Sequence, residues 1–177
     1  QQIYSTWFRS RQKKDSGWGF FQYTYDYPGR RMRIEQGSWE NRKVFKRDSL
    51  QLDTLYQDGL SLFYMARVHV LTRQKMNIPT VVSEKTGTTF IDFRAERTHE
   101  DIDAVKYPVD LVRFEGEAGF VGIFGLTGAF EGWFSNDAAR VPVIAKMKVL
   151  LGNVRLELMK WKRTGWSPPR YIDNPSK

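Results

Sequence analysis

The sequence predicts an all-β protein: an antiparallel, barrel-like or strongly curved sheet with one short helix. Three observations lead there. Runs rich in aromatic and β-branched residues alternate apolar with polar side chains, the period-two signature of strands with one greasy and one wet face. Turn signals separate these runs at short spacing, as in hairpins. Only one stretch has helical spacing, so the helix–strand alternation needed for a parallel sheet is missing.

Taken in order, Trp18–Tyr27 is a strand of aromatics, Pro28-Gly29 turns the chain, and Arg31–Glu35 alternates on the far side, which makes a hairpin. Leu60, Phe63, Tyr64 and Arg67 then fall at i, i+3, i+4 and i+7, predicting a helix over residues 59–68 with Asp58 or Ser61 available to cap it. Val68–Gln74 reads as a return to strand. Thr80-Val-Val and Thr88–Phe93 flank the polar turn Ser83–Gly87, a second hairpin. From Val109 onward, Val109, Leu111 and Arg113 share one face, with Asp110, Val112 and Phe114 on the other. Val141, Val143, Ala145, Met147 and Val149 line an apolar face opposite Arg140, Lys146 and Lys148. Leu151-Gly-Asn153 turns the chain into a last strand, where Val154, Leu156 and Leu158 alternate with Arg155, Glu157 and Met159.

Glycines recur every third residue at 116, 119, 122, 125 and 128, with Gly132 following. No proline lies in this run, and five triplets cannot sustain a collagen helix. No Lys-Ser/Thr pair follows to make a phosphate loop. The run reads as two bent strands, Phe114–Gly122 and Gly128–Ser135, with glycine where another backbone comes close. The segment from Arg163 holds three of the seven prolines and cannot continue a ladder. Residues 1–169 are therefore read as one antiparallel β domain and 170–177 as an extended tail, with Trp161, Trp166 and Tyr171 to pin the C-terminal segment to the body.

Composition narrows the chemistry. The 177 residues contain no Cys and two His, which excludes disulfide scaffolds and thiolate metal sites and leaves little for a histidine site. The longest apolar stretch, Ala118–Phe130, is 13 residues with four glycines, too short for a membrane-crossing helix. No cofactor is expected. The net charge of +8 is local: residues 1–47 carry 11 Lys/Arg against 4 Asp/Glu, and the remainder 17 against 16. Hairpin pairing would gather Arg30, Arg31, Arg33, Arg42, Lys43, Lys46 and Arg47 into an anion-facing patch, provided they share one face. Nothing in this region has a nucleic-acid-binding motif, and nucleic acid is not expected as a partner. Carboxylates are the remaining catalytic candidates. Glu115 and Glu117 share a strand face and Glu131 could lie across from them, a grouping that glycoside hydrolysis could use; the competing expectation is a solvent face neutralised by Arg113. His99-Glu-Asp-Ile-Asp103 lacks calcium-loop spacing and reads as a solvated loop, and His69 as a core residue.

Gly59–Arg67, Gly116–Ser135, Asp137–Val143, and Gly152–Trp161 with Trp166–Pro169 resemble the domain-of-unknown-function family 3108, over roughly residues 18–169. The resemblance implies an exported protein of the Gram-negative periplasm or cell envelope, with a signal peptide that this chain lacks and further strands ahead of Trp18 that are missing here. It also implies that the helix lies against the sheet with Phe63 and Tyr64 as plugs, and that Asp137 accepts backbone amides in the turn before Val141-Pro142. The family brings no catalytic residues. The function expected is therefore that of a non-enzymatic envelope protein binding a lipid-like or amphiphilic ligand or a partner protein. The alternatives are an accessory role in surface polysaccharide or lipopolysaccharide handling, where the partner is a glycan, and, more remotely, a carboxylate-based glycoside hydrolase.

Overall fold

The computed structural model describes residues 3–15, 17–82, 84–119, 126–149 and 152–173, with the side chains of residues 126 and 127 excepted. Among the described residues ten strands form two antiparallel sheets. The first contains β1 (Trp7–Lys14), β2 (Gly17–Asp26), β3 (Arg31–Ser38) and β4 (Val44–Gln51) in that order. The second contains β5 (Lys75–Val82), β6 (Lys85–Glu100), β7 (Val109–Ala118), β8 (Leu126–Ser135), β9 (Pro142–Val149) and β10 (Gly152–Glu157), again in chain order. Each sheet is a meander, so each strand bonds to its sequence neighbours. Among the described residues the one helix is α1 (Ser61–His69), between the sheets in sequence.

The expected hairpins form, and the antiparallel all-β class with one short helix is observed. Barrel closure is not. The end strands β1 and β4, and β5 and β10, do not pair with each other. The reason lies in residues 52–74, where a turn-rich segment and the helix break the meander in two. What joins the halves is a short parallel bridge between Gln57 and Thr80, with Gln57 N–H donating to Pro79 and Val81 N–H donating to Gln57. Val81 is fully buried among Tyr23, Tyr25, Met32, Ile34, Leu52 and Tyr56, so one core cluster belongs to both sheets.

The second sheet is buried on both faces where β7 begins. Val112 and Phe114 join Ile78, Ile91, Phe93, Phe134, the helix residue Ala66 and Val70 at the helix C-cap in one cluster. On the opposite face Val109 and Leu111 meet Ile102, Trp133, Val143 and Ile144. Gly132 and Gly119 show why glycine is used in this region. Gly132 lies directly across from Phe114, and a methyl group added to it would fall within the Phe114 ring. A Cβ at Gly119 would come within 3.0 Å of the Thr88 carbonyl, to which the Gly119 N–H already donates at 3.1 Å. Gly122, grouped with it by sequence, lies outside the described residues.

Two expectations are corrected here. Residues 68–74 are not strand: the helix continues through His69 and a turn closes with Thr72 N–H donating to the His69 carbonyl. The helix also presents a different face to the core. Leu62, Met65, Ala66 and Val70 pack inward, while Leu60, Phe63 and Tyr64 are exposed rather than plugs. The reason is that the helix is apolar on two sides, so periodicity alone could not choose between them. Asp58 Oδ1 accepts the amides of Leu60 and Ser61 at 2.8 and 3.0 Å, doing the work of a cap.

The C-terminal segment packs on the second sheet. Trp161 donates to the Trp166 carbonyl, Trp166 donates to Asp137 Oδ2 at 2.7 Å, and Tyr107 donates to the Pro168 carbonyl. Arg170 bridges to Val109, and the Tyr171 ring lies 4.4 Å from His99. Asp137 gathers this corner, accepting Ser135 Oγ–H and the amides of Ala139 and Arg140 as well. Burial alone would raise its pKa, but the bonds from Trp166, Ser135 and the two amides outweigh that and hold it below the usual carboxylate value.

Candidate functional site

Strand alternation assigns the first sheet two unlike faces. Toward the second sheet point Phe8, Ser10 and Gln12 of β1 with Phe21 and Tyr23 of β2. Together with Val81, Val82, Glu84, Asp58 and Gly59 they enclose a cleft of about 460 Å³. Its walls are aromatic and aliphatic, with a few polar groups. Glu84 accepts from Gln36 and from Lys46 at 3.1 Å, and its amide donates to the Tyr23 hydroxyl at 3.4 Å. Asp58 is saturated: Oδ1 by the two helix amides, Oδ2 by Ser5 Oγ–H at 2.5 Å. Burial raises the phenol pKa of Tyr23, so that side chain stays neutral. The apolar surface left on the walls is flanked by the hydroxyl of Ser10 and the amide of Gln12.

The outward face of the same sheet carries cations stacked on aromatic rings. The Arg11 guanidinium sits 4.3 Å from the Trp18 ring centre and 5.3 Å from that of Trp39; Arg42 is 4.0 Å from Trp39. Arg9 lies 5.2 Å from Trp7 and 5.4 Å from Phe20. All three arginines remain exposed while lying over the rings. The sequence signal was the alternation Trp7-x-Arg9-x-Arg11, which puts all three on one face, and the seven-residue anion-facing grouping did not include it.

Those seven cations do not share one surface. Arg31 and Arg33 point outward on β3, joined by Arg47, which is paired with Glu35 at 3.1 Å. Lys46 points to the opposite face and pairs with Glu84, because adjacent strand residues alternate. Arg30 and Arg42 occupy turns with positive φ, and Lys43 lies in the loop before β4.

The candidate catalytic carboxylates are brought together and then neutralised. Glu115 and Glu131 are direct cross-strand partners. Arg113 donates to Glu96 at 3.1 Å, to Glu115 at 3.0 Å and to Glu131, while Arg94 reaches Glu115 and Asp92. Glu117 shares their face, on a broad open depression beside Lys146 and Lys148. No group of three or more potential metal ligands occurs among the described residues. His99 and Glu100 end β6 rather than sitting in a loop. Burial would raise the Glu100 pKa, but Arg155 and Lys146 more than reverse this and lower it. His69 lies against Phe93, and its buried Nδ1 has no hydrogen-bond partner among the described residues.

No curated protein and no solved structure matches the chain. A family described as a protein of unknown function, DUF3108, matches residues 4–159, which takes in β1 as well as the strands from Trp18 onward. With that match running through both sheets, the helix and the cleft between them, the chain belongs to the DUF3108 family.

Proposed function

We propose that this chain is a non-enzymatic protein of the bacterial cell envelope, periplasmic or surface-facing, that holds a lipid-like or amphiphilic ligand between its two sheets. The observation that carries this is the cleft of about 460 Å³, within the size range of small-molecule sites and walled by Phe8, Phe21, Tyr23, Val81 and Val82 with Ser10 and Gln12 placed to meet a polar head. The arginine pairing of Glu115 and Glu131 supports a binding role over hydrolysis, since both carboxylates are already engaged by Arg113. Native mass spectrometry of protein purified without detergent tests it. A co-purified amphiphile is expected, and it should be lost from Ser10→Phe, which fills the cleft. Apo protein that also fails to bind a fluorescent fatty acid would reject the proposal.

The stacked arginines favour a second function, the handling of an acidic surface polysaccharide on the outward face of the first sheet. Retention on dextran sulfate but not on dextran, reduced by Arg11→Ala, is the matching test.

A further inference from the structure

We propose that helix α1 is a peripheral docking surface for an anionic lipid bilayer. The helix is apolar on both sides. Its inner side is spent on the core through Leu62, Met65, Ala66 and Val70. Its outer side, with the turn that follows, exposes Leu60, Phe63, Tyr64, Val68 and Leu71, each between 47% and 61% accessible. A helix packed on a sheet ordinarily turns polar side chains to water. Five large apolar groups on three turns instead make a contiguous patch of the kind that marks a docking site.

The charges around the patch select the occupant. From Gly59 to Val82 the sequence contains no Asp or Glu, while Arg67 and Arg73 lie within or just after the helix and Lys75, next to them, pairs with Asp92 at 3.8 Å. Arg140 is drawn to the same helix end, donating to the carbonyls of Arg67 and Val68 at 3.2 and 3.4 Å. Arg67 in return donates to the Ala139 carbonyl at 2.6 Å, which fixes this cationic rim beside the apolar patch. An apolar face bordered by arginines matches the chemistry of an anionic membrane interface, where aliphatic and aromatic groups enter the acyl boundary and cations meet headgroup phosphates. Because Asp58 and Gly59 line the cleft and lead directly into the helix, docking brings the cleft close to the bilayer.

Co-sedimentation of the full chain with phosphatidylcholine vesicles, with and without phosphatidylglycerol, tests it. Binding is expected to the phosphatidylglycerol vesicles at low salt and to fall as salt rises. Phe63→Ser with Tyr64→Ser should weaken it at least about tenfold, and Arg73→Glu, which reverses a charge at the rim, by roughly tenfold or more. Both variants change exposed side chains, and thermal melting checks that they remain folded. Lys148→Glu, an exposed cation on the face of the second sheet opposite the helix, should leave binding unchanged. Equal binding to both vesicle types, binding retained in the double variant, or binding abolished by Lys148→Glu would overturn the proposal. Binding to neither vesicle would also overturn it and leave an acidic protein as the occupant.

Discussion

The two sheets solve the same problem differently. At the start of β7 the six-stranded sheet has apolar clusters on both faces, one beneath the helix and one beneath residues 101–108. The four-stranded sheet has one buried face and one wet face whose large aromatics are shielded by arginines instead of by protein. Thickness explains the contrast: a sheet covered on two sides spends its side chains on packing, while a sheet covered on one side has a whole face left over. The cleft lies where the thinner sheet meets the end of β5, and the outward cations lie on its far side. Binding features thus concentrate on the region least committed to the core.

The sharpest way to break this comparison is to cut each core at its most buried residue. Phe93 and Met32 are both fully buried. Phe93→Ala should cost about 3–5 kcal/mol and Met32→Ala about 2–5 kcal/mol, measured by urea unfolding. If the Met32 variant unfolds its sheet while near-ultraviolet signals from the other survive, the sheets are separate cooperative units; a single transition joins them through Val81. Gly132→Val comes next. The added side chain must displace Phe114, and a loss of roughly 1–3 kcal/mol is expected in the same assay. An unchanged midpoint would mean that the aromatic–glycine contact does not hold β7 against β8.

Asp137→Asn should cost about 1–2 kcal/mol near neutral pH, since it removes charge-assisted bonds to Trp166 and to backbone amides. Its pH dependence has a definite sign. The folded pKa lies below the ordinary 3.8, so the stabilisation is fully present above that value and disappears as the pH falls through the lower folded one. Thermal melts from pH 6 down to about 2 should show the native protein losing more stability than the Asn variant. Parallel curves would remove Asp137 from the acid-sensitive set. The smallest stability effect belongs to the outward face: Arg11→Ala should shift folding by no more than about 0.5 kcal/mol while lowering dextran sulfate retention.

Much of the fold was legible because period-two alternation and turn chemistry are local. The hairpins of β2 with β3, β5 with β6 and β9 with β10 needed nothing beyond neighbouring residues, although Lys85–Gly87 and Gly152–Asn153, read as turn, already pair as strand. The family match was legible too, from the glycine run and the segments around it. The helix face was not: with Leu60, Phe63 and Tyr64 on one side and Leu62, Met65 and Ala66 on another, only the position of the sheet decides which is inside. The cleft was equally hidden. Phe8, Ser10 and Gln12 could be assigned to one face of a strand, but their apposition to Val81 and Val82 depends on a bridge at Gln57, some fifty residues away. The basic grouping failed at Lys46 because loops and opposite strand faces separated residues that sequence proximity had united.

Because neither meander closes, the molecule has four strand edges, and an unpaired edge invites another chain to add a strand. Each edge carries its own obstacle. Strand β1 has Arg9, Arg11, Lys13 and Lys14; β4 has Lys46, Arg47 and Asp48; β5 contains Pro79, with Gln57 bonded along part of its length; β10 bears Arg155. Seen in this way, the positive charge of the N-terminal third has a second cause besides any ligand. It keeps two identical sheets from stitching together side by side, so a variant stripped of the β1 cations would be threatened first by self-association, before any loss of folding.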